Sequence, residues 1–278
     1  MLLKDLSNRL VTLELTPSED WPDDARETVL AALRSGDPLT TERAAHLAWP
    51  LIDEDMTTEL LAIVRSDAAP EIRGSAAIAF GPTLEDEHLD RLAAEGAGSA
   101  ASETASALAV RIQAALREAF EDTSQPKLVR RRALEASVRG PLDWHPDAIR
   151  GIADSEDEDW RLTALFCMGN SEGFDEQVLD ALQAASGDML VTAVQAAEDL
   201  VLEDAGPRLL ELAAGDTPMD VRSAAIYALG TIRPDGAQEL LEALAVADDP
   251  EVASLADAVL AEMEDDDWED EDDEDDED

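Results

Sequence analysis

The sequence predicts an all-α protein, built as a right-handed α-solenoid of about eight helical hairpins. A phrase made of a Val-Arg-like pair, a run of small residues, an apolar residue and often a glycine recurs about every 30 residues. Within each copy the apolar residues follow the i, i+4, i+7 spacing of a helix. Self-similarity of this length is typical of solenoids, in which each unit buries its apolar face only by stacking on its neighbours.

The first predicted element is a capping helix with its linker, assigned to residues 1–21. Leu2, Leu6, Leu10 and Leu13 follow helical spacing, and Pro17 lies in the linker that follows them. The end of a solenoid needs an atypical unit with a more polar outer face, which this helix would supply.

Repeats occupy the second segment, residues 22–263. Two copies match position for position, with Arg161 in one equivalent to Arg222 in the other. Both copies place a glycine eight residues after the arginine, Gly169 and Gly230. We expect this glycine to end the first helix of the hairpin in the left-handed conformation.

Prolines and acids predict where the helices begin. Proline suits a first helical turn, and one stands three to five residues before an arginine position at Pro38, Pro70, Pro126, Pro218 and Pro250. Aspartate is a good N-cap, and acids precede the second helix of a hairpin at Asp55, Asp86, Asp175, Asp204 and Asp235. Each unit therefore reads as turn, helix, short turn, helix.

The pattern Pro-x-Val-Arg-x-x-Ala-x-x-Ala-Leu-Gly resembles the short HEAT repeat of the phycobilisome lyase type, and the resemblance covers most of residues 22–263. The clear units start near Asp37, Asp67, Asp154 and Asp216, and degenerate ones near Gly96, Gln125, Gly187 and Asp248. The resemblance implies an arginine–acid ladder, in which each arginine bonds an acid of an adjacent repeat. Its members would be Arg43, Arg73, Arg161 and Arg222.

The charge balance is strongly acidic, with 66 Asp and Glu against 20 Lys and Arg and a net charge of −46. The third segment, residues 264–278, is acidic except for Trp268, and we predict that it is disordered because so dense a run of like charge cannot collapse onto a core. Molar salt would screen the repulsion, so the composition predicts the cytoplasm of a halophilic archaeon. Direct nucleic-acid binding is disfavoured, since phosphate contacts need a basic face.

One window departs from this background. Seven of the 20 basic residues lie within residues 111–139, which carry a net charge of +3. One interpretation is that its arginines are solvated or paired with acids. The other is an anion site for an acidic partner segment or for the chain's own tail, formed by Lys127, Arg130, Arg131, Arg132 and Trp144.

No catalytic, metal-binding or cofactor motif is present in the sequence. His46, His88 and His145 lie in different units without ligand spacing, and we assign His46 to packing. No stretch reaches the about 18 apolar residues of a membrane span. We therefore expect a noncatalytic adaptor that binds a protein or peptide. The alternatives are an acidic chaperone or nucleic-acid mimic that binds basic proteins, and, from the resemblance, a lyase-like enzyme accessory.

Overall fold

The computed structural model describes residues 3–85 and 99–274, and for Glu19 and residues 99–105 and 265–274 it describes the backbone alone. All regular elements in these ranges are helices. The chain forms two compact units, residues 1–143 and 144–278.

The first unit contains seven described helices. They are α1 (Leu3–Glu14), α2 (Ala25–Leu33), α3 (Pro38–His46), α4 (Glu54–Val64), α5 (Pro70–Ile78), α6 (Ser99–Glu121) and α7 (Lys127–Ser137). Helices α3, α5 and α7 pack side by side in a first row, with α1 against α3 at one end. Helices α2, α4 and α6 form a second row behind them, and the core lies between the rows.

The second unit repeats this arrangement with eight described helices. They are α8 (His145–Ala153), α9 (Glu158–Gly169), α10 (Asp175–Ala184), α11 (Asp188–Asp199), α12 (Gly206–Ala214), α13 (Met219–Ile232), α14 (Ala237–Ala245) and α15 (Pro250–Glu274). Helices α9, α11, α13 and α15 form the first row. Helices α8, α10, α12 and α14 each contact the first-row helix that follows.

The prolines mark the first-row helices as predicted. Pro38, Pro70 and Pro250 are the first residues of their helices, and Pro126 and Pro218 are N-caps. Proline has no N–H to leave unpaired at these positions, and its fixed φ suits the helix entry.

The predicted aspartate caps are displaced. At α4 the cap is Asp53, whose carboxylate accepts a hydrogen bond from the Met56 N–H at 2.8 Å, and Asp55 lies inside the first turn. Asp175 is the first residue of α10, whereas Asp204 and Asp235 precede α12 and α14 by two residues. Asp86 lies outside the described residues. Acids are so frequent here that several compete for each helix start.

Gly169 and Gly230 do not end their helices in the left-handed conformation. Gly169 is the last residue of α9 and Gly230 lies within α13, where Arg233 has the positive φ of 50°. A Cβ on Gly169 would lie 2.8 Å from Ala196 Cα, and one on Gly230 would overlap Val259. The repeated glycine therefore permits close approach of consecutive first-row helices.

The degenerate unit expected near Gly96 is not a separate hairpin in the described residues. Its arginine-like position, Ser102, falls in the first turn of α6, a single helix of 23 residues that contacts α4 and α7. Helix α5 packs directly on α7, so this position adds no helix to the first row.

The last helix enters the segment for which we predict disorder. Helix α15 continues to Glu274, so the backbone is helical over residues 264–274, and residues 275–278 lie outside the described part of the chain. Disorder of this segment in solution stays a prediction.

Candidate functional site

Three arginines of the repeat cap a preceding helix. The Nε–H groups of Arg73, Arg130 and Arg222 donate to the carbonyls of Val64, Phe120 and Ala213, at 2.9, 2.8 and 2.9 Å. Each acceptor is one of the last two residues of α4, α6 or α12. The last carbonyls of a helix have no hydrogen-bond partner within the helix and carry its partial negative charge. A guanidinium there donates the missing hydrogen bond and places a positive charge beside that negative end.

Arg161 behaves similarly, donating to the carbonyls of Ser155 and Glu156 just after α8, at 2.8 and 3.0 Å. Arg43 differs, because its Nε lies 2.8 Å from the carboxylate of Glu14. Arg43 is five residues after the proline that begins its helix, whereas Arg73 is three after its own. Two extra residues turn a side chain by about 200° around the helix, away from the preceding helix end.

This arrangement corrects the arginine–acid ladder that the resemblance implies. Arg43 bonds an acid, whereas Arg73, Arg161 and Arg222 donate to main-chain carbonyls. Unsatisfied helix-end carbonyls lie within reach of a first-row arginine and have no competing donor in their own helix.

The basic window is largely matched by acids in the structure. Glu135 is 5% exposed and accepts from Arg132 at 2.7 Å, with Arg131 at 3.8 Å. Other window arginines form ion pairs that link Arg111 to Glu54, Arg117 to Glu121 and Arg139 to Glu85. These contacts favour the interpretation of paired helix charges.

The remaining residues of the predicted anion site do not form one cluster within a unit. Lys127 is exposed at the start of α7, and Arg130 caps α6 and also lies over the Phe120 ring at 5.6 Å. Trp144 belongs to the second unit, next to the buried His145, with 4.1 Å between the ring centroids. The anion site stays a prediction.

The exposed face of the first row in the first unit contains two adjoining clefts, which we call the row groove. One, of about 610 Å³, lies between α1 and α3 and is lined by residues including Leu3, Leu39 and Arg43. The other, of about 430 Å³, crosses α3, α5 and α7. Glu42 and His46 line both clefts, so the two clefts adjoin at these residues.

The second cleft is built from residues that share one face of each helix. Glu42 and His46 on α3 are four residues apart, as are Leu128 and Arg132 on α7. On α5 the lining residues are Glu71, Gly74, Ser75 and Ile78. A Cβ on Gly74 would lie 3.3 Å from Arg132 Cγ and 3.4 Å from Leu128 Cγ, so the missing side chain lets α7 approach.

A serine and a histidine meet in this cleft. Ser75 Oγ lies 3.1 Å from His46 Nε2, a distance at which a histidine could act as base toward a serine nucleophile. Ser75 lies in the middle of α5, however, and its neighbouring N–H groups are used by the helix. They are therefore not free to stabilise an oxyanion, which acyl transfer needs.

The charges of the second cleft are unequal. Among the described residues Glu42 and Glu71 have no ion pair, whereas Arg132 is held by Glu135. At the α1 end, hydrogen bonds from the Thr40 hydroxyl and N–H hold the pKa of Asp37 below its usual value. The second cleft therefore has two glutamates without an ion pair beside apolar side chains, whereas the first cleft also contains Lys4 and Arg43.

Sequence reasoning missed most of these residues. It placed His46 in packing, yet the side chain is exposed and borders both clefts. The available signal was the i, i+4 spacing of non-apolar residues at Glu42 and His46 and at Glu71 and Ser75. Polar residues four positions apart on a helix normally indicate only a solvent-exposed face. A groove is recognised only when it is known which helices pack side by side.

In the described part of the chain, no three His, Cys, Asp or Glu side chains come together as metal ligands would. No described helix combines the length and apolarity that crossing a bilayer demands.

No protein-family model and no curated protein matches the chain. Among solved structures, it is similar to human deoxyhypusine hydroxylase in complex with glycerol, with 19% identity and a TM-score of 0.42 over 94% of this chain and 96% of that one. It is also similar to YibA of Escherichia coli, with 15% identity and a TM-score of 0.41 over 94% and 98% of the two chains.

A third similar structure is a designed armadillo repeat protein in complex with the peptide (KR)4, with 13% identity and a TM-score of 0.36 over 93% and 99% of the two chains.

Proposed function

We propose that this protein is a noncatalytic scaffold that binds a segment of another protein along the row groove of its first unit. The observation that carries this proposal is the pair of adjoining clefts, which share Glu42 and His46 and together border α1, α3, α5 and α7. A surface that crosses several repeats is what solenoids present to extended partners.

The chemistry of the groove supports a binding role over a catalytic one. The Ser75–His46 contact is the one arrangement in the groove that suggests a nucleophile and its base, and the surrounding helix offers no free N–H groups for an oxyanion. We therefore expect no hydrolysis of an activated ester such as p-nitrophenyl acetate above that of a Ser75→Ala variant. A clear loss of ester hydrolysis in Ser75→Ala would contradict the noncatalytic role.

The partner should be recovered through the groove. We would capture proteins from a native-salt lysate on the tagged full-length chain and on a variant with Leu39→Lys and His46→Lys. Leu39 is 78% exposed and His46 is exposed, so the substitutions should spare the fold. A matched variant, Val246→Lys with Gln238→Lys, places the same two charges on exposed positions of the second unit.

Loss of one discrete protein from the groove variant, with retention by the matched variant, would support the proposal. Equal recovery by all three proteins would contradict it.

A second candidate function is that of an acidic chaperone or nucleic-acid mimic, which the net charge of −46 favours. Binding through overall charge should weaken steeply with added salt, whereas binding that includes apolar contacts should persist. Many basic proteins released together by salt, equally from wild type and groove variant, would favour this candidate over the groove.

A further inference from the structure

We infer that the occupant of the cleft across α3, α5 and α7 is an extended protein segment carrying a lysine or arginine that lies between Glu42 and Glu71. This inference rests on the proposed function and adds the chemistry of the partner. It is argued from three features of the cleft: its unpaired carboxylates, its apolar side chains and its length.

Two glutamates of the cleft have no ion pair among the described residues. The structure describes ten glutamate side chains there, and seven of them form ion pairs with arginine. The three without an ion pair among the described residues are Glu27, Glu42 and Glu71, and two of these line the same cleft. Both carboxylates are therefore available to pair with a cation of a partner.

The fixed cation of the cleft does not fill this role. Arg132 lines the same cleft, but its guanidinium lies 2.7 Å from Glu135, which is itself almost fully buried. Turning Arg132 toward Glu71 would leave Glu135 with Arg131, at 3.8 Å, as its nearer charge partner. Removing a hydrogen-bonded partner from a buried carboxylate is costly, so the Arg132 charge stays where it is.

The apolar part of the cleft selects side chains next to that cation. Ile78 and Leu128 line the cleft beside the small residues Gly74 and Ser75, which keep its centre open. Successive residues of an extended strand point to opposite sides. In a segment that alternated basic and apolar residues, only one of the two kinds would face the groove. The partner segment must therefore carry basic and apolar side chains on the same face, at every second or third residue.

The length of the cleft sets the length of the segment. Packed helices lie about 8–10 Å apart, so the path from α3 across α5 to α7 is about 20 Å. An extended chain rises about 3.3 Å per residue, which gives a segment of about six residues.

The test uses fluorescein-labelled heptapeptides and the full-length protein, with binding followed by fluorescence anisotropy in 0.5 M KCl. The peptides share a Leu-Ser-x-Ser-Leu-Ser-x frame, in which x is lysine, glutamate or glutamine. This frame places leucine and x on one side of an extended chain. We expect the lysine peptide to bind more tightly than the glutamine peptide, and the glutamate peptide to bind least.

Two pairs of variants separate the groove from the overall charge. Glu42→Gln with Glu71→Gln should weaken the lysine peptide about tenfold, as expected for two partly exposed ion pairs. Glu172→Gln with Glu176→Gln removes the same charge from exposed positions of the second unit and should change binding less than about twofold. Glu42→Lys with Glu71→Lys should reverse the preference toward the glutamate peptide.

Equal binding of the three peptides by the wild type, or equal weakening by the two neutralised pairs, would overturn the inference. If no peptide binds while the groove variant still loses its lysate partner, the basic occupant is wrong and the scaffold function stands. If neither the peptides nor a lysate partner depends on the groove, both proposals fail.

Discussion

Arg222 provides the sharpest test of the structural role of the repeated arginines. The substitution Arg222→Met keeps most of the aliphatic stem and removes the Nε–H donor that lies 2.9 Å from the Ala213 carbonyl. A hydrogen bond that involves a charged group contributes about 1.5–3 kcal/mol, and the favourable contact of a cation with a helix C-terminus adds about 0.3–1 kcal/mol. Because the side chain is half-buried, we expect a loss of about 2 kcal/mol.

The loss should be measured by native-state hydrogen exchange with mass spectrometry at constant KCl. This measurement reports opening free energies for separate peptides, so the second unit can be followed without assuming that the whole chain unfolds in one step. The amides at the C-terminal end of α12 and in α13 should exchange about 30-fold faster, the factor that corresponds to about 2 kcal/mol.

Arg150→Met is the matched control. Arg150 is exposed, pairs with the exposed Asp147 at 3.2 Å and lies over the Phe174 ring at 5.4 Å, so its loss should cost about 1 kcal/mol or less. If Arg222→Met were no more costly than Arg150→Met, the guanidinium would not be stabilising the end of α12, and the explanation of the repeated arginine would be refuted.

Three further predictions concern packing, pH and salt. Gly169→Ala should destabilise the protein by about 1–3 kcal/mol, because the new Cβ would lie 2.8 Å from Ala196 Cα, whereas Gly151→Ala on α8 meets no atom within 4 Å and should stabilise it by about 0.5–1 kcal/mol in urea unfolding. Burial raises the pKa of Glu198 despite its hydrogen bond from Thr231, so the folded state binds a proton more readily than the unfolded state. Glu198→Gln should therefore stabilise the protein at pH 7, and the gain should vanish as pH falls through the raised pKa; a gain that does not depend on pH would contradict this cause. Raising KCl from 0.1 to about 2 M should raise the Tm, because the Debye length falls to about 3 Å or less, and an unchanged Tm would argue against adaptation of the net charge of −46 to salt.

The sequence predicts the first-row helices well, because proline acts locally. Pro70 has no N–H and a fixed φ, so it can begin α5 whatever packs around it. Helix starts marked by acids were displaced, as at Asp53 and Asp55, because neighbouring acids have the same local preference. Local preference decides a boundary only when a single residue expresses it.

Roles that depend on a distant partner could not be predicted in the same way. Gly169 has the spacing of a helix end, and only the position of Ala196 shows that it permits close packing. Arg43 matches the other arginines in sequence, and the start of its helix turns it toward Glu14. The row groove has the same origin, since Glu42, Glu71 and Arg132 become neighbours only after three helices have stacked.

Each capping arginine forms a hydrogen bond to the helix that precedes its own, and these bonds affect the order in which parts of the solenoid unfold. Each such contact ties the second helix of one hairpin to the first helix of the next, so the two cannot melt independently without breaking a bond between them. The equivalent position in α11 is Thr192, whose hydroxyl donates at 2.9 Å to the Asp188 carbonyl of its own helix. The junction of α10 with α11 lacks that tie, and so does the junction of α14 with α15, where Ala253 stands at the arginine position. In a chain whose stability is a sum of nearest-neighbour couplings, a missing coupling weakens the junction at which it is missing. We therefore expect the hairpin connections of the second unit to open most readily at residues 185–187 and 246–249, where no arginine joins the two helices.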